Sequence, residues 1–575
     1  MASFKLRCLL CKYLQTCCES LSIDETFRLL LLRFVYAKNE ILPVILIFCG
    51  TTFFFLLSLV LILFPLLKLI ISVIVYKGCV TQPLHTFFKL KTTLQDCLND
   101  TDYELLHETL DKGLPKTDKT YHVAIVGAGM AGLTTAKLLE DAGYKVTILE
   151  ASERVGGRVH TYRNEKEGWY VDLGAMRIPS THQILLSLVK KLNLNTTKFI
   201  MDDNETFYFV NGEKIKTRLV KNNPCLLNYN IPPPKCNKSA HDILDESLTA
   251  VKDIVSTKGC MEALKMFDHY TVKEYFIKEA KLDTETIRML GDVLNENAIM
   301  SLALSEMIYF TQGLTGGTDR IPTALKNTLT KTEVILNATV KEIDQTLNEV
   351  TLKYQLNQEI KSLQADAVLV TTTAKAALLM DFKPPLSTNK VEAMRSIQYG
   401  SSTKVVLTFS EKFWERDGIK GGKSVTDRAS RFIYYPSHTF PDNNRTGVLL
   451  ASYTWAEDSQ FLLGMNDTQL QDLVMRDLVE IHGDHVRSLL TGMVVKKWSL
   501  DSYSLGAFAL FGPYQHLQYA SELFKREGRI HFAGEHTAFP HAWIETAMKS
   551  AIRAAINIAN QAESVPNNHE IRDEL

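Results

Sequence analysis

The chain has no surplus of charge: among its 575 residues, 64 Lys and Arg stand against 65 Asp and Glu, a formal net charge of -1. Without a basic field it lacks the electrostatic footprint of a nucleic-acid binder, and that partner class is excluded. The local signatures of several large enzyme classes are missing too. There is no His-Glu-x-x-His pair, no phosphate loop closing in Gly-Lys-Ser/Thr and no Gly-x-Ser-x-Gly elbow. Cys8, Cys11, Cys17 and Cys18 have no second ligand pair at zinc spacing, so they read as reduced thiols, with metal binding or palmitoylation as the other readings. No metal is expected. Internal repeats and low-complexity tracts are also absent. A chain this long outgrows a single core, and two or three domains are expected.

The first strong signal present is Tyr121–Arg158, YHVAIVGAGMAGLTTAKLLEDAGYKVTILEASERVGGR. An apolar strand, His122 to Val126, runs into Gly127, Gly129 and Gly132 and then into a helical pattern ending at Gly143. A second strand, Lys145 to Glu150, ends in an acid at the distance where a ribose hydroxyl needs an acceptor. Gly127 permits the tight turn, Gly129 lets a pyrophosphate approach the backbone, and Gly132 lets the helix pack on the strand. The helix N-terminus offers free N–H groups and a positive dipole end to phosphates. Directly after Glu150, the glycine pair Gly156 and Gly157 lies beside Arg158. An NAD domain has no use for this segment, whereas FAD enzymes pass such backbone and an arginine along the far side of the pyrophosphate. The alternative is a surface turn with a solvated arginine.

Upstream, Ile41 to Tyr76 is an apolar run broken only by Pro43, Pro65 and Lys68. It exceeds the about 20 residues of a bilayer span, and it is too long and too far from Met1 for a cleaved signal peptide. A membrane signal anchor over residues 41–76 is therefore expected, with residues 1–40 cytosolic. Flanking charge does not set the orientation, since Arg28, Arg33 and Lys38 are matched by Lys77, Lys89 and Lys91. Glycosylation sequons at Asn99, Asn195, Asn204, Asn237, Asn337, Asn444 and Asn466 all follow the run. The chain closes in Arg572-Asp573-Glu574-Leu575, close to a lumenal retrieval signal. Both place the larger part in the endoplasmic reticulum lumen, or in a secreted or lysosomal form if the anchor is cut and retrieval fails.

Farther on, Gly168–Pro179 (GWYVDLGAMRIP) carries one charge of interest, Arg177. Asn222–Lys238 reads as a Pro- and Asn-rich linker, and Ala240 to about Met307 as a helical layer. The runs at 333–344, 348–356 and 366–373 read as strands that extend the nucleotide sheet, followed by a β-rich block from Lys404 to Trp455. Gly528–Ala555 reads as strand, glycine, buried acid and an Ala-rich helix whose N-terminus near Trp543 to Thr546 points at the flavin or its pyrophosphate. Core packing alone does not account for the cluster Glu535, His536, His541 and Trp543.

These motifs, with GSSTKVVLTF, RFIYYP, KWSLDSY and FAGEHTAFPHAWIETAMKSAIRAA, resemble the flavin-containing amine oxidase superfamily, and within it the L-amino-acid oxidase family, over about Cys97 to Asn560. LLASYTW and GEHTAFPHAWIETA look most like its vertebrate interleukin-induced and fish branches. The resemblance implies an α/β fold: a Rossmann-type FAD-binding domain, a mixed β-sheet substrate domain and a helical domain, preceded by the transmembrane helix. Its parts would be residues 121–160, 321–398 and 524–562 for FAD, residues 92–120, 161–220 and 399–523 for substrate, 221–320 for the helical domain and 563–575 for the tail.

The resemblance further implies FAD contacts at Met130, Ala131, Glu150, Ala151, Arg158, Gly174, Ala175, Met176, Arg177, Val340, Glu535, Ala542, Trp543, Ile544, Glu545, Thr546 and Ala547, beside Gly127, Gly129 and Gly132. Trp498 would lie near the flavin or in the core. Arg177 would hold the substrate carboxylate, a role suited to a planar guanidinium. Tyr453 or Ser452, with Ala542 and Trp543, would line the side-chain pocket. Lys404 would hold a water at the flavin, an exposed strand-end lysine being the alternative. Cys97 and Cys260 match a family disulfide, and the second family pair is missing.

Two departures stand out. Met300–Pro322 is shorter than in the venom oxidases, whose histidine near the substrate amine has no counterpart, and His541-Ala542-Trp543 replaces His-Gly-Trp. The implied activity is oxidation of L-amino acids, aromatic or large apolar, by O2. A monoamine or polyamine oxidase and a non-catalytic membrane flavoprotein are the rivals, and a homodimer stays open.

Overall fold

A five-stranded sheet, parallel throughout, is the frame on which the rest is hung. Its order is Ile530–Phe532, Ala367–Val370, His122–Val126, Lys145–Leu149 and Glu333–Ile335. The computed structural model describes Cys97 and residues 100–564, apart from 295–296, 309–316, 441–442 and 444. The expected span 41–76, the N-terminal cysteines, the Arg572–Leu575 end, most of the GLTGG stretch and the sequons at Asn99 and Asn444 lie outside the described residues. Among the described residues no helix is long and apolar enough to cross a membrane.

The central strands read as unbroken apolar runs because both faces of a parallel sheet are covered. One face carries the helices Met130–Ala142 and Ile544–Ser564, whose facing residues are largely small. Ala136, Ala551, Ala554 and Ala555 are all buried, and the Thr135 hydroxyl donates to Ala551 O at 3.1 Å. The first helix ends at Gly143, which takes the left-handed conformation (φ 107°) that closes a helix C-terminus.

Only part of the expected extension joins this sheet. Glu333–Ile335 and Ala367–Val370 do. The runs between them form a separate sheet in the order Glu359–Ala365, Val350–Leu356, Thr339–Gln345 and Asp381–Lys383. The first three of these are antiparallel neighbours joined by tight turns, and a meander of that kind cannot enter a parallel ladder, which needs crossovers.

The substrate side is built on a seven-stranded sheet ordered Leu490–Lys497, Ser402–Phe409, Gly447–Trp455, Phe432–Tyr434, Lys423–Thr426, Phe207–Val210 and Glu213–Lys216. Short helices from Thr217 to Ile308 form the third layer with a core of their own, including Tyr275, Phe276, Met289 and Leu290. Cys97–Cys260 is bridged as the resemblance implies. A second bridge, Cys225–Cys236, corrects the expectation that the other pair is missing and closes a loop within the stretch read as a linker. That stretch holds two short helices, Pro224–Leu227 and Pro233–Cys236, with Leu227 and Ile231 buried in the helical core.

Candidate active site

The glycine turn after the first strand works through two close approaches. Gly127 has φ 106°, and a Cβ on Gly132 would lie 2.0 Å from Gly127 O, so only glycine lets the helix start here. At Gly129 an added Cβ would meet nothing within 4 Å. That open side faces a cavity of about 1150 Å³, larger than the roughly 300–1,000 Å³ of an ordinary small-molecule site. The Glu150 carboxylate is buried at the next strand end, accepting from Ala128 N–H (2.7 Å), Ser152 N–H (2.9 Å) and the Ser152 hydroxyl (2.7 Å). It braces the glycine turn as well as lining the cavity.

A dinucleotide fits this cradle. Gly127, Gly129, Met130, Ala131, Glu150, Ala151, Arg158, Gly174, Ala175, Met176, Val340, Trp498, Glu535, Trp543, Ile544 and Ala547 all line the one cavity, with Arg177, Lys404, Tyr453 and Ala542. Four expected contacts do not. Gly132 packs against the strand turn instead. Ser452 points to the far face of its strand and donates to Ser430 O at 3.1 Å. Glu545 accepts from the Tyr103 hydroxyl (2.8 Å) and Leu185 N–H (2.9 Å), and the Thr546 hydroxyl donates to Pro540 O at 2.5 Å. In the first turn of a helix only one side can face a ligand, and here Trp543, Ile544 and Ala547 occupy it.

Glu535 is the hub of the cofactor end. It accepts from Arg158 Nη1 at 2.6 Å, Ala509 N–H at 3.0 Å and Ala542 N–H at 3.1 Å. Burial alone would raise its pKa, but the Arg158 charge, then His541 and His536, outweigh burial and hold it at about 2. Glu140 behaves alike: burial raises it, but hydrogen bonds from Thr332, Thr330 and Lys331 bring it to about 2. Both folded values lie below the ordinary 4.5, so this stabilisation is complete above about pH 4.5 and is lost as pH falls toward 2. The melting temperature should drop across that window, and less steeply in Glu140→Gln. An unchanged slope in that variant would place the acid sensitivity elsewhere.

At the other end, Lys404 is 1 % exposed in the interior of its strand, not at an exposed strand end. Its Nζ donates to Asp172 O (2.9 Å) and Gly174 O (2.7 Å) and lies 4.8 Å from the centre of the Tyr453 ring. Burial lowers the lysine toward neutrality, Asp172 opposing and Arg177 assisting. Trp498 is both core and wall: it is buried, donates from Nε1 to Leu173 O at 2.9 Å and borders the cavity. Phe432, Tyr434, Tyr453 and Trp455 form an aromatic wall, the last two edge to face at 5.2 Å.

Arg177 stands half-buried in this cavity. Among the described residues no carboxylate pairs with it, and its hydrogen-bond neighbour is Met201 Sδ, 4.0 Å from Nη1. A guanidinium left without an internal anion is available to an external one. Ala542 takes φ 69°, an uncommon conformation for a side-chain-bearing residue, pinned by the Glu535 bond and by its neighbour His541. His541 Nδ1 lies 2.8 Å from Glu306 Oε1, and although burial opposes its charge, Glu306 raises its pKa.

Residue-by-residue reading missed Glu306, Met201, Asp202, His241 and Lys423. The last four line the cavity from loops and elements remote in sequence from the flavin motifs. The Gly421–Gly422 pair beside Lys423 was the one visible signal.

A parallel nucleotide sheet whose cradle opens on an aromatic-walled chamber, with a guanidinium that no carboxylate among the described residues pairs, defines a dinucleotide-dependent oxidoreductase. Comparison with known proteins gives the family. The model of the flavin containing amine oxidoreductases matches residues 130–559, and the chain belongs to that family. An L-amino-acid oxidase of Siganus canaliculatus is 56% identical over 483 residues, 82% of this chain and 92% of that protein. One of Vipera ammodytes ammodytes is 41% identical over 487 residues, 82% of this chain and all of that protein. Among solved structures, cyclohexylamine oxidase from Brevibacterium oxydans IH-35A is 21% identical with TM-score 0.63, covering 77% of this chain and 100% of its own. Putrescine oxidase bound to putrescine is 19% identical with TM-score 0.62, covering 78% and 100%. At those identities the likeness is one of fold.

Proposed function

We infer that the chain is an FAD-dependent L-amino-acid oxidase, converting an L-amino acid, O2 and water to a 2-oxo acid, ammonia and hydrogen peroxide. The observation that carries this reading is the Arg177 guanidinium, set in the cavity wall with no carboxylate pairing with it among the described residues. FAD, when bound, supplies the two-electron acceptor of the reaction. The glycine turn, Glu150 and the start of the Ile544–Ser564 helix would hold it, with Arg158 kept in place by Glu535.

The chain's own groups do the rest. Arg177 takes the substrate carboxylate by two parallel hydrogen bonds, and Tyr453, Trp455, Phe432 and Trp543 confine the side chain, which fixes Cα in one orientation. The same aromatic wall favours large apolar or aromatic side chains. Lys404, whose Nζ is held by the carbonyls of Asp172 and Gly174 beside the Tyr453 ring, presents a fixed donor at the cavity wall, able to hold a water there. Localisation in the secretory pathway is supported by the two disulfides and by the exposure of Asn195, Asn204, Asn237, Asn337 and Asn466. An anchor at 41–76 is supported by the apolar run there, longer than the about 20 residues of a bilayer span.

The test is a peroxide assay of the flavin-loaded protein with the twenty L-amino acids and with phenethylamine, paired with anaerobic bleaching of the flavin. Turnover of phenylalanine without turnover of phenethylamine is expected. Equal turnover of the two would overturn the carboxylate requirement, and no bleaching by any amino acid would overturn catalysis.

A further inference from the structure

The stretch 198–203 has no regular structure, yet it is tied down at Ile200 and Asp203, on either side of Met201. Ile200 N–H donates to Ser437 Oγ at 3.2 Å, and Ile200 O accepts from Gly422 N–H at 2.9 Å. The Asp203 carboxylate accepts from Lys420 N–H at 2.8 Å and Glu205 N–H at 2.9 Å. The surface beneath is the glycine pair 421–422. A Cβ on Gly421 would lie 2.7 Å from Ile200 Cβ, and one on Gly422, whose φ is 73°, would lie 2.5 Å from Asp203 N. The stretch can sit this low only because neither position has a side chain.

The residue delivered by this fixture is Met201, which lines the cavity with its sulfur 4.0 Å from Arg177 Nη1. A thioether is a neutral, weak acceptor. A carboxylate at that point would neutralise the guanidinium and compete with any anionic ligand, whereas a hydrocarbon would leave its direction unset. We propose that Met201, seated by Gly421 and Gly422, is a positioning residue of the carboxylate clamp, aiming the Arg177 guanidinium without satisfying it. The proposal rests on the reading of the protein as an L-amino-acid oxidase.

Two substitutions in the flavin-loaded full chain test it. Met201→Leu is close in volume and removes the acceptor, while Met201→Glu supplies an internal anion. Kinetics with L-phenylalanine are combined with titration by benzoate, a carboxylate probe followed through flavin absorption. For Met201→Leu, KM and the benzoate Kd should rise about three- to five-fold with kcat within about two-fold, as suits loss of a weak acceptor that sets ground-state binding. For Met201→Glu, both should rise at least about thirty-fold, because an ion pair then has to be displaced. Gly422→Ala, which must lift the stretch, should reproduce the leucine result. The proposal is overturned if Met201→Leu leaves KM and the benzoate Kd unchanged, or if it lowers kcat alone. Should the glutamate variant not fold, the leucine variant decides by itself. A wild-type protein that turns over none of the twenty L-amino acids refutes the oxidase reading. Wild-type turnover with unaltered variants refutes only the role of Met201.

Discussion

Arg177→Ala should lower kcat/KM for L-phenylalanine by about 10² to 10⁴ while flavin content and melting temperature hold. Two charge-assisted hydrogen bonds at about 1.5–3 kcal/mol each give about 3–6 kcal/mol, and each 1.4 kcal/mol is tenfold. Stability is spared because the guanidinium has no internal salt bridge to lose among the described residues. Arg177→Lys should recover only part of the loss, since an ammonium is a point charge without the planar fork. A fall of less than about tenfold in the alanine variant would remove Arg177 from the clamp and leave the cavity without its carboxylate anchor.

The second large effect belongs to Glu535→Ala. The deletion leaves the half-buried Arg158 charge without its carboxylate and the amides of buried Ala509 and half-buried Ala542 without their acceptor. Breaking one side of a buried ion pair costs about 3–5 kcal/mol, and the melting temperature should fall by about 5 °C or more. The flavin should also be lost on gel filtration, because the same carboxylate fixes the backbone at Ala542 beside the cavity. If Arg158 and Glu535 together are replaced by methionine, part of the stability should return, because no lone charge then stays buried. A Glu535→Ala protein that keeps both its flavin and its melting temperature would show that the hub carries no strain-bearing load.

What could be read in the amino-acid sequence was whatever is local. The glycine turn, Glu150 and the C-terminal helix each declare themselves within thirty residues, because a nucleotide cradle is one strand, one turn and one helix. Arg177, Lys404 and Trp543, which the fold brings to one cavity, sit in motifs of similar length. Facing was less legible. Tyr453 and Ser452 are adjacent on one strand, and a shift of one residue exchanges cavity wall for core, so the choice needed the pairing with Lys404 that only the folded sheet supplies. Glu545 and Thr546 failed for the helical version of the same reason. The Cys225–Cys236 bridge lay hidden in a Pro-rich stretch that looks like a spacer. Met201 had no local mark at all, since its partner is 24 residues away and its seat more than 200.

The parallel sheet draws strands from residues 122–149, 333–370 and 530–532, and Glu535 and Trp543 follow the last of them. A nascent chain leaving the ribosome therefore exposes its glycine turn some 400 residues before the edge strand and the second helix exist. A complete flavin cradle therefore awaits the last strand, and until then the apolar strands are exposed surface of the kind that aggregates.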